Sequence, residues 1–71
     1  MTFKRVDEPS PLRRARYRRS WPLAKASEVI GVDISSLSRW ERGVQSPTAL
    51  MCLKILLVYP ELTLVELVDA E

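Results

Sequence analysis

The sequence predicts an all-α fold of five short helices joined by very short connections. Three observations predict it. Apolar residues recur at spacings of three and four, and no stretch alternates as a half-buried strand would. Proline or glycine punctuates the chain at Pro11, Pro22, Gly31, Gly43, Pro47 and Pro60. A residue able to cap free N–H groups stands at four of the expected helix starts: Ser10, Asp33, Ser46 and Thr63.

Residues 1–10 carry mixed charge and Pro9, and read as a flexible arm; residues 11–71 form one domain. Ser10-Pro11 opens a first helix over 11–19, since serine caps and proline in the first turn loses no hydrogen bond. Its inward residues are Leu12, Ala15 and Tyr17, and most of the rest is arginine. Ser20-Trp21-Pro22 breaks that helix and begins a second over 22–30, with Leu23, Ala26, Val29 and Ile30 facing inward. Gly31 ends it as a left-handed residue, and Val32 plugs the turn. Asp33 caps a third helix over 34–42, whose inward face is Leu37 and Trp40 and whose end is Gly43. Ser46-Pro47 repeats the serine–proline start and opens a fourth helix reaching Val58, with Leu50, Leu53, the Lys54 stem, Leu57 and Val58 on its stripe. Met51, Ile55 and Leu56 widen that stripe, which places the helix centrally in the core or at an interface. Tyr59-Pro60 stops it. Thr63 with Glu66 three residues later is a capping-box pattern for a short fifth helix over 64–70.

A chain of 71 residues buries a limited core. One cysteine, Cys52, and no histidine exclude an internal disulfide and zinc sites of the usual spacing. With no histidine base, no Gly-rich phosphate loop and scattered carboxylates, no enzyme activity, metal or cofactor is expected. No apolar run is long enough to span a bilayer, and residues 1–10 hold no signal-type apolar stretch. A soluble, cytoplasmic protein without membrane contact is expected. Charge is unevenly placed. Residues 1–45 carry a balance of +5 and residues 46–71 one of −3. Such an asymmetry fits one face meeting a polyanion, or ordinary surface charge.

Two short helices joined by a tight Gly-containing turn, the second bearing polar residues, form the helix-turn-helix pattern. Ile30-Gly31-Val32-Asp33, then Leu37-Ser38-Arg39-Trp40-Glu41-Arg42-Gly43, then Ser46-Pro47, resembles the XRE-type helix-turn-helix family, which includes the lambdoid phage repressors and Cro proteins. The resemblance covers about residues 12–68 and is sharpest over 38–43. It implies a lambda-repressor-like five-helix domain that binds double-stranded DNA with its third helix in the major groove. Carried over by position, it implies base contacts at Ile34, Ser35 and Arg39. It implies phosphate contacts at Ser36, Ser38, Arg42 and the backbone of Gly43 and Val44. It also implies a structural pair of Arg16 with Glu41.

The residues leave alternatives. Arg39 is either a guanine-reading guanidinium or a solvated cation, and Ile34 either touches a thymine methyl or belongs to the core. The sequence departs from the family pattern at Pro22 and Leu23, where a polar cap and a glutamine usually anchor phosphate, and at Ser27, where alanine is usual. Lys25, Trp21 and the arginines, Arg19 among them, are the expected substitutes for that anchor. This makes the arginine-rich first helix a candidate part of the DNA surface. The Ser27 hydroxyl needs a partner, such as a carbonyl one turn back.

The leading expectation is a dimeric transcriptional repressor on a near-palindromic operator. Leu56, Val58, Leu64, Leu67 and Val68 are the candidate homodimer interface, with intramolecular core as their alternative. The second half loosely resembles small antitoxin-type and phage-associated regulators. The competing expectation is therefore a protein-interaction module, such as an antitoxin that binds a toxin as its protein partner and autoregulates its operon.

Overall fold

The computed structural model describes residues 9–68, with the Val68 side chain outside that description. It contains α1 (Pro11–Arg18), α2 (Leu23–Ile30), α3 (Ile34–Glu41), α4 (Ala49–Val58) and α5 (Leu64–Val68), and no strand among the described residues. The expected arm, apart from Pro9 and Ser10, and the expected end of the fifth helix lie outside the described residues.

Local chemistry sets most of the boundaries. Ser10 Oγ accepts from the Arg13 amide at 3.2 Å, with Pro11 in the first turn. At the far end of α1 the Ser20 and Trp21 amides donate to Tyr17 and Arg16 carbonyls at 2.9 and 3.3 Å. This double closure requires a left-handed residue, and Ser20 takes that role at φ 55. Gly31, at φ 85, ends α2. Asp33 Oδ2 caps α3 by accepting from the Ser35 and Ser36 amides at 3.0 and 3.3 Å. Thr63 and Glu66 exchange amide-to-side-chain bonds at 2.9 and 3.3 Å, closing the capping box of α5.

The start of α4 differs from expectation. Ser46-Pro47 remains outside the helix, which begins two residues later behind Thr48, whose Oγ1 accepts from the Met51 amide at 3.3 Å. Pro47 is buried, and the Cys52 thiol lies 3.8 Å from its carbonyl. Proline here is the apolar residue preceding the cap, stapled to the fourth helical position rather than opening the helix.

The core is Leu12, Ala15, Ala26, Ile30, Leu37, Trp40, Cys52, Ile55, Tyr59, Leu62 and Leu67. Tyr17 and Val29, expected inward, are exposed. A larger correction concerns α4. Leu50, Leu53 and Leu57 are 60%, 60% and 85% exposed, whereas Cys52, Ile55 and the capping Tyr59 are fully buried. At about 100° per residue these two sets lie on opposite sides of the helix. The expected stripe therefore faces outward.

The candidate dimer residues divide accordingly. Leu67 is buried in the core of one chain, whereas Leu56 and Val58 are half-buried and pack partly against it. Leu64 is exposed, and the Val68 side chain lies outside the described residues.

Tyr59 is the meeting point of α1 and the α4–α5 connection. Its ring lies 6.2 Å from the Trp21 ring, and the Arg19 guanidinium sits 4.7 Å above it. Burial pushes its phenol above the usual tyrosine range, and its hydroxyl has no hydrogen-bond partner among the described residues.

Candidate nucleic-acid interface

The α2–turn–α3 unit is held from three sides. Ser27 is buried where α2 packs on α3, and its hydroxyl donates to the Ala24 carbonyl at 2.9 Å, which satisfies it within its own helix. Lys54 on α4 donates to the Gly31 carbonyl at 3.3 Å. On the α1 side, Arg16 grips Glu41 with two parallel bonds, Nε to Oε2 at 2.8 Å and Nη2 to Oε1 at 2.9 Å. Its remaining Nη1 donates to the Trp21 carbonyl at 3.0 Å. Arg13 adds a longer bond to Glu41 at 3.4 Å. Hydrogen bonding to Glu41 raises the Arg16 pKa above its ordinary value. The pair expected from the resemblance is thus assembled, and it ties the C-terminal end of α3 to α1.

With Leu37, Trp40 and Glu41 turned inward, α3 presents Ile34, Ser35, Ser38, Arg39 and Arg42 along one outward arc. These five residues and Leu23 of α2 line a single open groove of about 330 Å³. Ile34 is 42% exposed on this arc, which removes its core alternative. Ser36 lies off the arc, half-buried, and accepts from Arg39 Nη2 at 3.4 Å. The Arg42 Nε donates to the Ser38 carbonyl at 3.3 Å, leaving its terminal nitrogens outward.

Three of the residues expected to meet phosphate have partners within the protein. The Gly43 and Val44 amides donate to the Trp40 and Arg39 carbonyls at 3.2 and 3.0 Å, closing α3 with Gly43 at φ 75. Both amides are therefore engaged within the protein. Arg19 is engaged as well. Its two terminal nitrogens donate to Glu61 at 2.7 and 3.0 Å and to the Ala15 and Val58 carbonyls at 2.9 and 3.3 Å.

Other arginines of α1 are held in a similar way. Arg13 and Arg16 pair with Glu41, and Arg18 and Arg19 pair with Glu61. Two carboxylates thus engage four of the five arginines of that run and offset two of its charges. Among the described residues Arg14, Lys25, Arg39, Arg42 and Lys54 have no described carboxylate within ion-pair distance, and Lys25, Arg39 and Arg42 stand on the helix-turn-helix unit itself.

Two features add to the sequence reading. Pro22 offers α2 no side-chain cap, so the first amides of that helix remain without an internal acceptor beside Leu23 and exposed Lys25. A helix start of this kind favours an anion. The second is Gln45, read only as loop, whose side-chain oxygen accepts from Arg39 Nε at 3.0 Å. No periodicity marks a loop residue of this kind.

Elsewhere, Cys52 is fully buried and burial pushes its thiol pKa up. Among the described residues no three His, Cys, Asp or Glu side chains gather as a metal site, and no helix is long and apolar enough to cross a membrane.

A family model described as helix-turn-helix covers residues 12–67. No curated protein and no solved structure matched the chain.

Proposed function

Since the chain belongs to the XRE-type helix-turn-helix family of DNA-binding transcriptional regulators, we propose that it is a sequence-specific repressor that binds a near-palindromic operator as a dimer. The observation that carries this reading is the outward arc of α3. An α-helix fits the major groove, and here the helix end-capped by Asp33 and Gly43 offers an apolar methyl source, two small hydroxyls and two arginines along one face.

Arg39 is the principal base reader, through guanine O6 and N7. Ile34 meets a thymine methyl, and Ser35 adapts to either neighbour. Arg42, Ser38, Lys25 and the uncapped start of α2 hold phosphates, which fix register without reading sequence. Ser36 acts through Arg39 in this arrangement.

Dimerisation falls to the apolar stripe Leu50, Leu53 and Leu57, whose exposure in a single chain is otherwise unexplained. A two-fold interface would set the two α3 helices about one helical turn of DNA apart, roughly 34–36 Å. Selection of bound duplexes from a random pool tests the reading. A two-fold symmetric site with a guanine in each half is the expected product. Enrichment of no sequence would sink it. A symmetric site without a preferred guanine would remove Arg39 from its role while leaving the dimer in place.

A further inference from the structure

We propose that Gln45, in the loop after α3, is a positioning residue that sets the base preference of Arg39. The proposal rests on the reading of Arg39 as a base-contacting residue. A guanidinium has five N–H donors on three edges. The Nε edge of Arg39 faces two of the protein's own side chains, with Nε donating to Gln45 Oε1 at 3.0 Å and Nη2 to Ser36 Oγ at 3.4 Å. Because Nε carries a hydrogen, the oxygen of the Gln45 amide must face it. The edge formed by the two terminal nitrogens is then left for the groove, and its two N–H groups match the spacing of guanine O6 and N7.

The placement of Gln45 follows from the way α3 ends. The Val44 amide returns to the Arg39 carbonyl at 3.0 Å, with Gly43 in the left-handed region. That closure brings the chain back beside the residue it serves. Arg39 borders both the groove of α3 and the hollow on its other side, which Ser36, Gln45 and Met51 also line. Its side chain thus stands between the two, braced from behind.

The chemistry of the brace differs from that of the other held arginines. Arg16 and Arg19 are fixed by the carboxylates of Glu41 and Glu61. Arg39 is fixed by an amide and a hydroxyl, both neutral. A neutral acceptor restricts rotamers without cancelling the charge that the DNA attracts. A free arginine would have to be ordered at the moment of binding, and it could present either of two edges to neighbouring bases.

The test uses the full chain and duplexes taken from the random-pool selection, varied one base pair at a time. Arg39→Ala identifies the position whose guanine preference depends on that side chain, a preference of about 5- to 150-fold for a bidentate contact. Gln45→Met keeps the length and removes the acceptor. It is expected to lower the preference at that same position about fivefold, with the thermal midpoint and other positions unchanged. Gln45→Glu restores an acceptor and is expected to restore the preference while weakening binding to every duplex alike. In an Arg39→Ala background, Gln45→Met is expected to change no preference. A change at a different position, or one that persists in that background, would make Gln45 a reader in its own right and overturn the proposal. An unaltered preference in Gln45→Met, with Arg39→Ala effective, would overturn the brace alone. If Arg39→Ala changes no preference, the base-reading role and the brace fall together.

Discussion

Glu41 is 3% exposed, and the side chains of the Arg16–Glu41 pair are 12% and 1% exposed, so neither group is well compensated by water if the other is removed. Arg16→Met should destabilise the fold by about 3 kcal/mol, at the lower end for a broken buried pair because Arg13 still reaches Glu41. Glu41→Leu added to Arg16→Met should recover most of that loss, since a buried ion pair contributes little net against an apolar replacement. Urea unfolding of the three variants checks the order. Arg39 and Arg42 separate in a different measurement. Arg39→Ala should lose about 1–3 kcal/mol of discrimination between duplexes and keep nonspecific binding. Arg42→Ala should weaken all duplexes alike and reduce the salt slope of binding by about one. Titrations at several salt concentrations distinguish these outcomes, and identical behaviour of both variants would place Arg39 among the phosphate ligands.

Helix ends were more legible in the sequence than helix faces. Ser10, Asp33 and Thr63 act as caps where their types and spacing indicated, and Gly31 and Gly43 end α2 and α3, because capping depends on a few adjacent residues. The third helix was legible for its inward Leu37 and Trp40, which leave its serines and arginines outside, and Glu41 joins that inward face through its pairing with Arg16. In α4 every side but one position is apolar, so periodicity could not choose between the Leu50–Leu53–Leu57 side and the Cys52–Ile55 side. Packing against α2 and α5 made that choice. The internal pairing of the arginine run was illegible for another reason. A count of charges does not show which carboxylates fold back onto them, and Glu41 and Glu61 lie more than twenty residues downstream. The exposed stripe yields a direct expectation. Leu53→Glu should leave the monomer fold intact and abolish self-association, with operator affinity falling through loss of the second half-site. Sedimentation equilibrium over a wide concentration range checks it. A wild-type chain that remains monomeric throughout would leave the stripe to a different protein, as in the antitoxin-type arrangement.

Across the whole molecule, two carboxylate clasps join distant parts of the chain. Glu41 connects α3 to α1, and Glu61 connects the α4–α5 connection to the end of α1. Hydrogen bonding from Arg19 is the main reason that the Glu61 carboxyl is held at about 2, below its ordinary 4.5. A folded-state value below the unfolded one contributes stability that is fully present above the ordinary carboxylate range. That contribution is lost as pH falls through 4.5 toward about 2. Glu61→Gln should therefore flatten the acid limb of a thermal-midpoint against pH curve in that window, and a limb unchanged by the substitution would remove Glu61 from it.

The buried Cys52 thiol gives the same molecule an internal clock. It is the sole sulfhydryl of the chain, it sits at zero exposure on α4 beside the Pro47 carbonyl, and burial pushes its pKa up. A thiol reagent can reach it only when α4 lifts from the core, so labelling proceeds at the pace of that opening rather than of the chemistry. Any ligand that binds only the closed form must slow the labelling in proportion to its occupancy. The wild-type chain can thus report duplex binding and helix release through one natural atom, with no probe attached to the face that meets DNA.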